Sequence, residues 1–152
     1  MIKFYFNGAP NPNKVALFLE ESGLPFEAIP VDTRKGEQFA PDFLKVNPNG
    51  KVPAIDDDGI FVFDSNAILL YLADKTGTLI PADTLGRAQT LQWLMFQMGG
   101  LGPMFGQYGY FAKFAGKDIA DPRPRQHFID ESRRLLGVLE QQLEHQPFIA
   151  GE

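Results

Sequence analysis

The first 77 residues alternate short strand-like runs with helical segments, and this order most strongly constrains the fold. Residues 2–6, IKFYF, place three apolar side chains on one face and two polar ones on the other, as in a half-buried strand. A helix ending near Gly23 and a second strand at about residues 26–31 follow. Because a helix connects the two strands, we expect them to be parallel neighbours with a right-handed crossover.

Two more strands and a helix complete this half of the chain. A short helix is predicted around residues 41–45, and strands are predicted at residues 51–55 and 60–63. The acidic turn between these strands makes them an antiparallel hairpin. A strong helix follows from Ser65 and ends at Gly77. The predicted order is therefore β-α-β-α-β-β-α.

The composition changes after residue 78, where LIPADT indicates a linker into all-helical sequence. Residues 86–98 predict a helix so apolar that it must be covered on most sides. Residues 99–116 contain six glycines and several aromatic residues, which predicts either a broken helix or a flexible, aromatic-lined segment. A last amphipathic helix is predicted over residues 128–143.

Charge and hydropathy exclude several classes of function. Lys and Arg number 14 and Asp and Glu 19, which gives a formal net charge of −5. No block of Lys and Arg stands out, so a protein that binds nucleic acid is not expected. No apolar stretch approaches the roughly 20 residues of a membrane helix, and the N-terminus lacks the charged leader of a secretory signal. We therefore expect a cytoplasmic protein without membrane association.

The sequence contains no cysteine. This excludes disulfides, CxxC redox pairs, thiolate zinc sites and a cysteine nucleophile from this sequence, so any thiol must come from a ligand. His127 and His145 lie 18 positions apart, in or beside the final helix, which favours surface or capping roles and predicts no metal site. The acidic run of residues 56–58 is interpreted as a solvated turn, since a calcium loop needs more ligands at regular spacing.

Three local features each have a structural and a functional interpretation. Val52-Pro53 enters a strand; local sequence favours a trans bond, whereas a cis bond would leave the Val52 backbone aimed outward. Asp64-Ser65 is a helix-capping signal, or alternatively an anion site. Asn11 is predicted as the N-cap of the first helix, whose exposed end would alternatively stabilise a thiolate. Taken singly, the structural interpretations are favoured.

In combination, these motifs resemble the glutathione S-transferase superfamily, and most closely its bacterial members related to the Nu class. The resemblance covers the whole chain. The resemblance rests on five segments: NPNGKVPAI (47–55), FDSNAILLYLADK (63–75), APNPNKVALFLEE (9–21), LQWLMFQMGGLGPMFGQ (91–107) and RRLLGVLEQQL (133–143). It implies a thioredoxin-like α/β domain over residues 1–78, a linker over 79–85, and an all-α, truncated glutathione-transferase C-terminal domain over 86–152.

The resemblance implies that the first domain binds glutathione. On it, Val52 pairs its backbone with the cysteinyl part of the tripeptide, and Pro53 is a cis-proline. Asp64 and Ser65 hold the γ-glutamyl amine and carboxylate, in keeping with the preference of ammonium for carboxylates and of carboxylate for helix N-termini. The remaining implied contacts, at the other polar ends of the tripeptide, come from Gln38 and Lys51.

Asn11 is implied as the hydrogen-bond donor beside the glutathione sulfur. Many members of this family place Ser, Thr, Tyr or Cys near the end of the first strand to bond the thiolate, but here Ala9 stands in that loop. Tyr5 carries a hydroxyl, yet it lies within the strand and is interpreted as structural. Thiolate stabilisation is then expected to rest on Asn11 and on amides of the first helix.

The resemblance implies a cytosolic enzyme that uses glutathione and no metal. Transfer of glutathione to a small hydrophobic electrophile ranks first, reduction of a disulfide or peroxide second, and a non-catalytic binding module is the rival class. A homodimer is expected from the family and from the apolar faces of residues 88–98 and 128–143. Members of the family continue past the FIAGE stretch, so either a truncated form or completion by a partner surface is expected.

Overall fold

The chain folds as an α/β unit followed by a helical unit, as described by a computed structural model for residues 1–151. The two units are Met1–Ile80 and Pro81–Glu152. The first contains β1 (Ile2–Phe6), α1 (Pro10–Ser22), β2 (Phe26–Pro30), α2 (Pro41–Val46), β3 (Ala54–Asp57), β4 (Ile60–Phe63) and α3 (Ser65–Thr76). The second contains α4 (Thr84–Phe96), α5 (Gly102–Lys113) and α6 (Arg123–Leu143).

The four strands of the first unit form one sheet in the order β2-β1-β3-β4. β1 and β2 are parallel, which confirms the crossover through α1. β1 pairs antiparallel with β3, and β3 forms the predicted hairpin with β4. The third strand was predicted over residues 51–55 but begins at Ala54, because Lys51 to Pro53 lie outside the ladder.

The turns and helix ends follow from local sequence. α1 and α3 end at Gly23 and Gly77, both in the left-handed conformation that glycine adopts without steric cost. The β3–β4 hairpin turns at Asp58 and Gly59, whose φ angles of 50° and 95° suit the primed turns that match strand twist.

The alternation of side chains along β1 divides the core of this unit between the two faces of the sheet. Ile2 and Phe4 belong to a buried cluster formed with α1, α3 and β3. Tyr5 points to the other face, where its ring packs edge-on against Phe43 of α2 with centroids 5.6 Å apart. Tyr5 is therefore part of the packing around α2.

Asp57 departs from the expected solvated acidic turn. Its side chain is only 5% exposed, and its Oδ2 accepts hydrogen bonds from the Tyr71 hydroxyl (2.6 Å) and the Lys75 ammonium (2.5 Å) of α3. These bonds lower the pKa of the Asp57 carboxyl, and the same carboxylate raises the pKa of Tyr71 to about 12. The solvated interpretation of Asp57 was wrong because α3 covers this end of β3.

The glycine-rich segment of the second unit is helical, so the flexible alternative was wrong. A π-helical turn at Gln97–Leu101 separates α4 from α5, and a 3₁₀ turn follows at Ala115–Asp118. A Cβ on Gly116 would lie 2.6 Å from the Tyr110 ring, and one on Gly100 would touch Leu135 at 3.4 Å. These glycines permit close packing rather than mobility. None of the described helices is both long and apolar enough to cross a bilayer.

Candidate functional site

The register of the sheet brings three of the predicted site segments to the same end of the sheet, where β1 and β4 end and β3 begins. Tyr5 near the end of β1 pairs with Ala54 at the start of β3, and Ala54 pairs with Phe63 at the end of β4. The β1–α1 loop, the Val52-Pro53 segment and the start of α3 directly follow or precede these three residues. The fold therefore gathers Asn11, Val52-Pro53 and Asp64-Ser65 along one side of the unit.

The Val52-Pro53 peptide bond is cis. The trans bond favoured by local sequence alone was therefore wrong, and the cis-proline implied by the resemblance is confirmed. Val52 lies before β3, and within residues 1–151 neither its N–H nor its C=O has a hydrogen-bond partner. A donor and an acceptor on one residue are what an extended peptide needs to add as a short strand.

Asn47 shapes the loop that leads to this proline. Its side chain is 1% exposed, its Oδ1 accepts a hydrogen bond from the Asn49 N–H (2.9 Å), and its Nδ2 donates to the Lys51 carbonyl (2.6 Å). Sequence reasoning used the NPNG motif only as a family signature and gave Asn47 no role. The available signal was the Asn two residues before a loop N–H, which is the pattern of an Asx-turn.

The start of α3 is capped by Asp64. Its Oδ1 accepts hydrogen bonds from the N–H groups of Asn66 (2.9 Å) and Ala67 (3.2 Å), and its φ of 73° is unusual for a non-glycine residue. Asp64 therefore occupies two of the amides at this helix start, as the capping interpretation predicts, and binding of a ligand carboxylate there stays a prediction. Its second carboxylate oxygen, on an exposed residue, accepts no hydrogen bond from the described part of the chain.

Ser65 provides two further hydrogen-bonding groups at the start of α3, its hydroxyl and its N–H. The residue is 5% exposed, and neither its hydroxyl nor its N–H bonds to another described residue. An acceptor with two oxygens, such as a carboxylate, matches a hydroxyl and an N–H on the same residue.

Lys14 joins α1 to the start of α3. Its ammonium donates to the Asn66 side-chain oxygen at 3.1 Å. Burial lowers the pKa of the Lys14 ammonium, while the negative charge of Asp64 opposes that shift. Neither Lys14 nor Asn66 was singled out from the sequence, because their contact spans 52 positions and no local pattern signals it.

The start of α1 differs from the prediction. The helix begins at Pro10 with Ala9 as N-cap, so Asn11 is its second residue and not its cap. The fixed φ of Pro10 suits the first helical position, which moves the start two residues upstream. Pro10 and Pro12 have no N–H, and the Asn13 N–H bonds to the Ala9 carbonyl at 3.4 Å. The expected set of first-turn amides is thus reduced to that of Asn11, whose side chain is exposed.

Gln38 and Lys51 lie on adjoining segments beside this end of the sheet. Gln38 is in a 3₁₀ turn, Glu37–Phe39, and its Oε1 is buried without a hydrogen-bond partner among residues 1–151. Gly50, with φ of 61°, brings the Lys51 loop against this turn, since a Cβ there would lie 2.9 Å from the Phe39 ring and 3.5 Å from the Gln38 carbonyl. An unpaired buried acceptor costs about 1–3 kcal/mol, so a donor from a ligand or water is expected there.

Comparison with known proteins identifies the family. Residues 1–74 match the N-terminal domain of glutathione S-transferases. The disulfide-bond oxidoreductase YfcG of Escherichia coli (strain K12) is 47% identical over 159 residues, which span all of this chain and 73% of that protein. The chain belongs to the glutathione S-transferase family.

Solved structures of other family members agree with this fold. A glutathione transferase from Pseudomonas putida, with one glutathione disulfide bound per subunit, is 47% identical with a TM-score of 0.97 over 99% of this chain and 68% of its own. A family member from Pseudomonas fluorescens Pf-5 with two glutathione molecules bound is 49% identical with a TM-score of 0.96, over 99% of this chain and 69% of its own. The thioredoxin-like α/β domain followed by a helical glutathione-transferase domain is confirmed.

Proposed function

We propose that this glutathione S-transferase family member is an enzyme that binds glutathione at this end of the sheet and uses the glutathione thiolate as a nucleophile. One observation carries the proposal: the register of β1, β3 and β4 gathers the cis Val52-Pro53 segment, the capped start of α3 and the start of α1. Each of these segments offers polar groups of a different kind, and together they match the backbone, charged ends and sulfur of glutathione.

The charged γ-glutamyl end binds at the start of α3. The free oxygen of the Asp64 carboxylate accepts from the ammonium, and the Ser65 hydroxyl and N–H donate to the carboxylate. Lys14 keeps this terminus in place through Asn66. The Val52 N–H and C=O pair with the cysteinyl backbone of glutathione. The other polar groups of the tripeptide bind to Gln38 and Lys51, which lie on adjoining segments.

The sulfur lies at the start of α1. A cysteine thiol has a pKa of about 8.5, so it is largely protonated at neutral pH unless its surroundings favour the anion. Ala9 offers no hydroxyl, so the Asn11 N–H and carboxamide supply the hydrogen bonds, assisted by the positive end of the α1 dipole. Asn11 is the catalytic residue in this proposal.

Disulfide exchange is the reaction that the relatives favour. The E. coli relative is named a disulfide-bond oxidoreductase, and the P. putida structure holds glutathione disulfide. The thiolate of one glutathione attacks a substrate disulfide, forming a mixed disulfide and releasing a substrate thiolate, which is protonated. A second glutathione thiolate attacks the glutathione sulfur of the mixed disulfide and releases the other substrate thiolate. The substrate gains two electrons and glutathione disulfide is the product.

Transfer to an electrophile is the second candidate, and the family membership favours it. The same thiolate attacks an electrophilic carbon, a carbon–sulfur bond forms, and the leaving group departs with the electron pair of its broken bond. Both reactions need one activated thiolate, and both operate without a protein cysteine, which this sequence lacks. The second substrate is a small hydrophobic electrophile or a disulfide.

A homodimer and a cytoplasmic location complete the proposal. β4 is an edge strand, and its Ile60, Phe61 and Phe63 are 53%, 49% and 42% exposed, which is unusual for an unprotected sheet edge. A second copy of the chain would cover these side chains. A reducing compartment suits an enzyme that spends glutathione to reduce disulfides.

Calorimetry with glutathione, combined with two assays, tests this function. We expect binding, turnover of a small dialkyl disulfide with glutathione, and slower turnover of an aryl halide. Binding without turnover of either substrate would favour the non-catalytic module, and no binding would remove the site. Sedimentation of the wild type and of Phe61→Lys tests the dimer: a dimer that dissociates in the variant supports it, and a monomeric wild type contradicts it.

A further inference from the structure

The side chain of Asn7 ties the β1–α1 loop to the segment that follows β2. Its Oδ1 accepts a hydrogen bond from the Ala9 N–H at 3.0 Å, and its Nδ2 donates to the Thr33 hydroxyl at 3.2 Å. We call Asn7 with these two partners the Asn7 clasp. The Val31 N–H also donates to the Phe6 carbonyl at 2.8 Å, so β1 and β2 remain paired up to the point where the clasp begins.

The loop held by the clasp has little else to fix it. Gly8 is exposed, and a Cβ placed on it would meet nothing within 4 Å. Ala9, the N-cap of α1, has no side chain that can cap the helix. Pro12 is the first buried residue of α1, so Asn11 precedes the part of the helix that the core anchors. The position of Asn11 therefore depends on the loop.

The clasp also determines which amide remains available near the sulfur. The Ala9 N–H is occupied by Asn7, and the prolines at positions 10 and 12 have none. The Asn11 N–H then lies alone between two residues without donors. A donor stabilises an anion only when it is held in the right place, since misplacement by even a fraction of an ångström weakens a charge-assisted bond.

We propose that Asn7 is a positioning residue for thiolate activation: the Asn7 clasp holds Asn11 against the glutathione sulfur and offsets the missing hydroxyl at position 9. This inference rests on the proposed function. The side chain of Asn7 acts through the Ala9 backbone and not by touching the sulfur. The clasp borders a 410 Å³ groove whose charged residues, Asp32 and Arg34, pair with each other, so neutral substitutions of Asn7 leave the local charges unchanged.

An ultraviolet titration of the thiolate band of bound glutathione tests this role in wild type, Asn7→Ala, Asn7→Ser and Thr33→Val. Loss of a positioned hydrogen bond of ordinary strength should raise the apparent thiol pKa in Asn7→Ala by about 0.5–1 unit. Asn7→Ser keeps an acceptor for the Ala9 N–H, and Thr33→Val keeps Asn7 itself, so both should shift the pKa less. Glutathione affinity should fall less than about threefold in all three, because the α3 terminus is intact.

Ser65→Ala is the contrasting variant, since it should lower affinity and leave the thiol pKa unchanged. Thermal unfolding monitored by circular dichroism checks that each variant is folded. A folded Asn7→Ala with the wild-type thiol pKa would overturn the inference while leaving the proposed function intact. If Asn7→Ala does not fold, wild-type pKa values in both Asn7→Ser and Thr33→Val would overturn it. A wild type that does not bind glutathione at all would overturn the proposed function itself.

Discussion

The starts of α1 and α3 lie at the same end of the sheet but offer a ligand opposite kinds of polar groups. At α3, the Asp64 side chain caps two amides and leaves one carboxylate oxygen, so the terminus carries a negative charge beside free groups on Ser65. At α1, Ala9 provides no side-chain cap, and prolines remove donors on both sides of Asn11. The start of α3 is capped and negatively charged, whereas the start of α1 is uncapped and neutral.

This difference matches two chemical tasks. An ammonium and a carboxylate need opposite charges or several donors held close together, which a capped and charged terminus provides. A thiolate needs a positive potential and a donor without a competing negative group, which the uncapped dipole of α1 provides. Lys14, which contacts Asn66 at the α3 terminus and lies near Asp64, places a positive charge between the two. Proximity in the fold therefore does not imply equivalence in function.

Asp64→Asn should have the largest effect on this comparison, because it separates capping from charge. Asparagine caps helices as well as aspartate and tolerates positive φ, so the thermal stability should stay near that of the wild type. Loss of a charge-assisted bond to the ammonium should weaken glutathione binding about 10- to 100-fold in calorimetry. The matched variant Asp64→Ala should also lose about 1 kcal/mol of unfolding free energy. Equal affinity in Asp64→Asn and wild type would reduce Asp64 to a cap.

Asp57→Asn tests whether the carboxylate at the end of β3, which Tyr71 and Lys75 of α3 contact, is purely structural. Removing the charge that Tyr71 and Lys75 share should lower the unfolding free energy by about 1–2 kcal/mol, a value reduced because Lys75 is partly exposed to solvent. Glutathione affinity should not change. A loss of affinity without a loss of stability would contradict the division between the two carboxylates.

The same cluster predicts a pH dependence. The folded pKa of Asp57 is lowered, so its stabilisation is complete above the unfolded value near 4 and is lost as the pH falls through the folded pKa. The folded pKa of Tyr71 is raised to about 12, so its stabilisation is lost as the pH rises from about 10 towards 12. Denaturant unfolding of wild type and Asp57→Asn across pH should show both limbs flattened in the variant. Parallel curves would contradict this prediction.

Ser65→Ala should produce a smaller effect on the same α3 terminus. The hydroxyl makes no bond within the described chain and Asp64 is the cap, so stability should change little. Affinity for glutathione should fall about 5- to 10-fold, as expected for one hydrogen bond to a charged group. Equal losses of stability and affinity would mean that Ser65 acts in folding.

Asn11→Ala should have the smallest effect on binding and act on the sulfur instead. The residue is exposed and its side chain is not part of the α1 cap, so stability should be unchanged. Turnover of a small disulfide at neutral pH should fall about tenfold, less than the 10²–10³ loss seen for a complete oxyanion donor because the backbone N–H remains. A wild-type rate would assign thiolate activation to the backbone N–H of residue 11 and the helix dipole, without the carboxamide.

Much of the fold was predictable where one local signal dominated. The two-residue alternation of β1 placed its side chains on the correct faces, and Gly23 and Gly77 ended their helices as expected. The hairpin at Asp58-Gly59 followed from its turn residues. These features depend on neighbours within a few positions, which the sequence shows directly.

Other features were missed because distant residues decide them. The Val52-Pro53 isomer, for which the local signal pointed to trans, is cis in the fold. Asp57 is buried because Tyr71 and Lys75 reach it from α3, 14 and 18 positions away. The glycines of the second unit suggested mobility, yet Gly116 is needed for the close approach of an aromatic ring.

The sequence by itself determined the order of strands and helices, the helix ends and the family, because periodicity, turn residues and motifs are local properties of the chain. Only the tertiary structure decided which polar groups stay unpaired. Local hydrogen bonds occupy the Asp64 and Asn47 side chains, whereas the bonds from Asn7 to Thr33 and from Lys14 to Asn66 join segments 26 and 52 positions apart, and the groups left over define the site. That selection depends on the register of the sheet, which no single segment contains.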